Sequence, residues 1–204
     1  NTIAFFIQAI VVLAEVWFIS KLGTTSLAAV ALAFPIIMLT QQMAFGALGG
    51  AVSSSIARSL GAEDKERAEK LLWHSLLLSC CGYLLFFLIF FIGGESLLMA
   101  LGGEGSLLEE SLLYIKIFLT GAIFIWLSGT LSAALRGIGN MRFPALLMIA
   151  GSGIQVILAG GLILGWFGLP KLGIIGAPLS AISVAALMAI VMILKFMHSS
   201  SNVQ

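Results

Sequence analysis

LAAVALAFPIIMLTQQMAFGALGGAVSSSIA, residues 27–57, runs for 31 positions without one charged side chain. As a helix it would measure roughly 46 Å at about 1.5 Å per residue, more than the roughly 30 Å of bilayer hydrocarbon. A helix that long and that apolar belongs in lipid, where it must tilt or protrude. Outward from it the pattern recurs, with charge-free runs at 71–94, 117–135, 143–170 and 172–194. Residues 1–20 are apolar except for Glu15, and Gly23-Thr24-Thr25-Ser26 reads as the turn between the first two helices. Over all 204 residues the chain is 60% hydrophobic and only 9% charged, with a mean hydropathy of +1.15. Soluble domains carry about a quarter charged residues, so this chain could not cover a water-facing surface. The expectation is an all-α polytopic membrane protein, a single unit over 1–204 with spans at about 1–20, 27–57, 71–94, 113–135, 143–169 and 173–197. The chain starts with neither Met nor a charged flank, so its first helix is expected to be truncated at its start.

Charge settles the orientation. Arg58, Lys65, Arg67, Lys70, Arg136, Arg142 and Lys195 follow the even-numbered spans, whereas only Lys21, Lys116 and Lys171 follow the odd ones. Seven against three predicts that both ends face the cytoplasm of a cell (inner) membrane. With ten Lys+Arg against nine Asp+Glu and no basic tract, nucleic acid is not expected as a partner. Residues 61–70 carry the mixed signs of a solvated helical linker, and Glu104, Glu109 and Glu110 among leucines predict a short interfacial helix on the outer side. Gly46-x-x-x-Gly50 and Gly161-x-x-x-Gly165 would permit close helix contacts. Cys80 and Cys81, adjacent in an apolar run, can neither form a structural bridge nor hold zinc, and are expected to be packing residues.

Polar side chains at membrane depth carry the functional information, because lipid penalises them unless they face an interior or a cavity. Counting along the helices at about 1.5 Å per residue puts Glu15 and Gln155 at one level, with Ser180 and Ser183 near it. Gln41, Gln42 and residue 159, with Ser183, are the candidates to line a cavity. A carboxyl in a low-dielectric cavity can carry a proton or act as counter-ion to a cation. The bland alternative pairs Glu15 with Lys21 near the outer surface. His74, at the inner end of the third span, reads as an ordinary interfacial histidine.

Glu15-Val-Trp-Phe-Ile-Ser-Lys-Leu-Gly23 followed by Leu27-Ala-Ala-Val-Ala-Leu-Ala-Phe-Pro35 resembles the first- and second-helix signature of multidrug and toxic compound extrusion (MATE) transporters. Arg136-Gly-Ile-Gly-Asn-Met-Arg142-Phe-Pro144 is similar to that family's loop between helices 4 and 5, and Pro170-x-x-Gly173-x-x-Gly176-Ala177 fits in order and spacing. The resemblance implies the amino-terminal six-helix lobe of a twelve-helix antiporter whose two lobes form a V around a substrate cavity; the second lobe is absent from these residues. It also implies a cation or proton site at Glu15 and Gln155, with Ser180 in support. Two departures stand out. Glu15 replaces the family's frequent Asp, and the helix-5 pattern of Asn and Asp four residues apart is matched by Gln155 and Ala159.

The expected function is secondary active export of small organic, cationic or amphipathic molecules from the cytoplasm in exchange for protons or sodium. No cofactor, metal or catalytic residue is expected, the coupling ion being H+ or Na+. The expected partners are a small-molecule substrate, membrane lipid and the second lobe. One carboxylate and one amide favour a proton or the substrate over sodium, which wants several oxygens. A flippase for lipid-linked or polysaccharide substrates, of the same superfamily, would need more basic residues. An intramembrane enzyme using Glu15 and His74 lacks any paired carboxylate or nucleophile motif.

Overall fold

In the computed structural model the described residues are 2–201, with side chains described for residues 6–198. Six helices run in order: α1 Thr2–Ser20, α2 Thr24–Gly61, α3 Lys65–Ala100, α4 Gly105–Gly137, α5 Arg142–Leu164 and α6 Gly176–Ser201. Five of them are long and apolar enough to cross a membrane. Their outer faces agree with that: on α3, Leu77, Leu85 and Ile92 stay exposed, Ile92 at 78%. Water would penalise such a face, and hydrocarbon does not.

The turn before α2 is shorter than expected. Lys21 and Leu22 make the turn, their backbone N–H groups bonding back to Phe18 and Ile19 of α1; Gly23 follows at φ 128°, and Thr24, Thr25 and Ser26 form the first helical turn rather than a loop. The run expected to be one unbroken α-helix is also interrupted. Between Gln42 and Leu48 the hydrogen bonding widens to a π-helix, then returns to α-helix over Gly49–Gly61. The swollen turn faces a close neighbour. The Ala44 carbonyl of the swollen turn lies against Gly129 of α4, where a Cβ would meet its oxygen at 3.1 Å. Without a side chain at 129 the wide turn docks directly on α4; with one, the two helices would part.

Only Ala62, Glu63 and Asp64 connect α2 to α3, so the mixed-charge segment expected as a linker consists mainly of the exposed first turns of α3. The Asp64 carboxylate accepts the Arg67 backbone N–H at 2.9 Å, an N-cap that meets one of the orphan donors of a helix start. The Lys70 ammonium pairs with Glu66 one turn away. Likewise the short outer helix does not exist separately: residues 105–110 are the opening turns of α4. They are tied to α2 by Ser26, whose hydroxyl donates to the Glu110 carboxylate at 2.6 Å, and by Ser111, whose hydroxyl donates to the Ala29 carbonyl at 3.1 Å.

α4 is the centre of the bundle. It packs on α2, α3 and α6 and buries Phe118, Leu119, Trp126 and Leu135 almost completely. α1 instead packs on α5, and α5 on α6. The glycine spacings do not mark these seams. A Cβ at Gly50 would meet nothing, Gly161 abuts Leu169 of its own following loop, and Gly165 caps α5 in a left-handed conformation. Close approach occurs at Gly176, where a Cβ would lie 2.6–2.8 Å from backbone atoms of Leu162 and Ile163. Cys80 and Cys81 are free and face outward rather than into the packing.

Candidate cation site

Glu15 projects from α1 toward α5, and the pairing of these two helices brings it to Gln155. The Gln155 side-chain amide donates to Glu15 Oε1 at 2.8 Å, within the distance of a good N–H···O bond. Both side chains are partly buried. Counting residues along two helices predicts equal depth; the structure shows contact. The alternative pairing with Lys21 is not formed: that ammonium stands over the Trp17 ring at 5.0 Å, and among the described residues the one ion pair is Lys70 with Glu66. Nearer the start of α1, the Ser152 hydroxyl makes a long 3.5 Å contact with Gln8 Oε1, a second polar contact along the same seam.

Two residues expected near the site lie in closed packing. Ser180 is fully buried and its hydroxyl donates to the Ala177 carbonyl of its own helix at 2.7 Å. Ala159 is also fully buried, within the main apolar cluster, so it borders no open space in this lobe. Ser183 is exposed but its hydroxyl donates to the Leu179 carbonyl. Gln41 and Gln42 stand at the start of the π-helical turn, Gln42 exposed and Gln41 partly buried. No group of three or more His, Cys, Asp or Glu side chains suited to a metal ion occurs among the described residues. Tyr114 of α4, not singled out from the sequence, is buried and within electrostatic reach of Glu15. A lone tyrosine near the start of a span gave no signal; only the position of α4 at the centre brings it there.

The sequence pattern of the family described as MatE matches residues 2–160. The chain belongs to the MATE family. It is 31% identical over 173 residues to the FAD transporter of Shewanella oneidensis, covering 83% of this chain and 37% of the relative. Two solved structures of multidrug resistance MATE family transporters of the MOP superfamily are similar to this chain over most of its length. The inward-facing one gives a TM-score of 0.84 at 32% identity, covering 91% of this chain and 41% of the other. The outward-facing one gives 0.83 at 31%, covering 93% and 41%. The chain thus spans about two fifths of the length of the MATE proteins it matches, roughly one lobe. MATE proteins are multi-pass membrane transporters and not enzymes, which disposes of intramembrane catalysis. The bundle itself leaves His74 exposed, with its Nδ1 at 2.6 Å from the Lys70 carbonyl of its own helix.

Proposed function

We propose that this chain is the amino-terminal lobe of a secondary exporter that moves small organic, cationic or amphipathic molecules out of the cytoplasm in exchange for protons or sodium. Glu15 is then the group of this lobe that binds the coupling cation. The observation that carries the reading is the Gln155–Glu15 hydrogen bond between α1 and α5. An amide donor orients the carboxylate and leaves Oε2 for a proton or cation, whereas an ammonium in the same place would neutralise it permanently. Tyr114, Gln8 and Ser152 add polar groups along the same region. Similarity to inward- and outward-facing relatives alike supports a lobe that rocks as one body against the second, with cation binding biasing the two states. The Lys/Arg asymmetry supports placing both ends of the chain in the cytoplasm.

The test is Glu15→Gln in the full-length transporter, reconstituted in vesicles with an imposed proton or sodium gradient. Gln keeps the volume and removes the titrating charge. Gradient-driven export should fall at least tenfold while expression is unchanged; export at the normal rate with the same ion dependence would move the coupling chemistry to the other lobe.

A further inference from the structure

Where α2 ends and α3 begins, the last turns of α2 and the first turns of α3 border an open pocket of about 260 Å³. Ser55, Arg58, Ser59, Asp64, Arg67 and Leu71 line it. It is smaller than the roughly 300–1,000 Å³ of drug-sized sites, so it suits a headgroup rather than a transported molecule. Arg58 from α2 and Arg67 from α3 both line this space, and neither is paired with a carboxylate among the described residues. Arg58 makes only a long 3.4 Å contact with the Ser55 hydroxyl. The single acidic group in the wall, Asp64, accepts the Arg67 backbone N–H and forms no ion pair with either guanidinium. Two Arg and one Asp give the pocket a charge of +1, the complement of a monoanionic phosphodiester. Leu71 in its wall and the exposed Trp73 two residues on, 66% accessible, suit a position where a span meets the lipid headgroups.

We infer that Arg58 and Arg67, with the Ser55 and Ser59 hydroxyls, form a binding site for a phosphate group at the membrane surface. Guanidinium groups bind phosphate oxygens in bidentate pairs, with geometric selectivity that a single ammonium lacks. The site stands apart from Glu15 and does not depend on the transport reading. The phosphate comes either from an anionic lipid headgroup or from free phosphate in solution, and the pocket charge favours the lipid.

Native mass spectrometry of the full-length protein in detergent, titrated with phosphatidylglycerol, phosphatidylcholine or inorganic phosphate, tests it. Wild type should retain phosphatidylglycerol at least tenfold more tightly than Arg58→Ala/Arg67→Ala. Lys65→Ala/Arg142→Ala, which removes the same charge from the same end but not from the pocket, should retain it like wild type. Displacement of the lipid by millimolar phosphate would assign the site to free phosphate; resistance to it would assign it to the headgroup. Equal retention by wild type and the pocket variant would overturn the site, as would equal losses in both double variants. A melting temperature matching wild type verifies that each variant is folded.

Discussion

Glu15 holds its place through one amide, so Gln155 is the residue whose change isolates the pair. Gln155→Leu keeps the bulk and removes the donor. Losing a hydrogen bond to a charged group costs about 1.5–3 kcal/mol, and at about 1.4 kcal/mol per factor of ten the apparent affinity for the coupling ion should shift roughly tenfold or more. Transport measured against ion concentration reads this directly, and an unchanged half-saturating concentration would leave Gln155 as a helix-packing contact. Position 159 predicts a different outcome. The family pattern makes it acidic, yet here Ala159 is sealed in the core. Ala159→Asp would bury a carboxyl among apolar side chains, at a cost of several kcal/mol, and should lower the melting temperature in detergent by several degrees. An unchanged melting temperature would mean that this part of the core admits water. Of these residues, Glu15 and Gln155 were legible in the sequence because two parallel helices of known rise convert residue counts into depth. Tyr114 was not, since its neighbourhood depends on which helix occupies the centre, and hydropathy does not mark α4 as that helix.

Among the elements, α2 shows where counting fails. Its length is readable from the absence of charge, but the π-helical turn is not: its Ala44 carbonyl lies against Gly129, 85 residues downstream. The α5–α6 connection shows the converse. Pro170-x-x-Gly173-x-x-Gly176 is readable as a motif, and the structure supplies its reason: Gly176 touches the backbone of α5. Gly176→Ala must push the helices apart, since backbone atoms cannot rotate away as a side chain can, and overpacking of this kind costs about 1–3 kcal/mol. The expected readout is a lower melting temperature and reduced yield of folded protein. Gly50→Ala on α2, where a Cβ would meet nothing, should behave as wild type and serves as the control. Equal stability of both variants would contradict the close α5–α6 contact. The outer segment at 104–110 was misread as a separate helix because its glutamates suggested an interface, whereas Ser26 ties Glu110 into the α2–α4 seam.

For the whole molecule, the proposed topology has six crossings that return the chain to the end at which it starts, and the seven Lys/Arg of that end predict that it faces the cytoplasm. Single-cysteine labelling at position 64, in a protein lacking Cys80 and Cys81, should proceed only after permeabilisation; labelling from outside intact cells would invert the topology. On the proposed reading this lobe supplies one wall of a cavity, and alternating access would require a second body to rock against. The most direct test is therefore transport by purified protein in vesicles under an imposed proton or sodium gradient, comparing this chain alone with the full-length transporter. The full-length protein should give saturable, gradient-driven movement of an organic cation, and a verified monomer of this chain should give none above empty vesicles. Saturable transport by that monomer would contradict its assignment as half of an exporter.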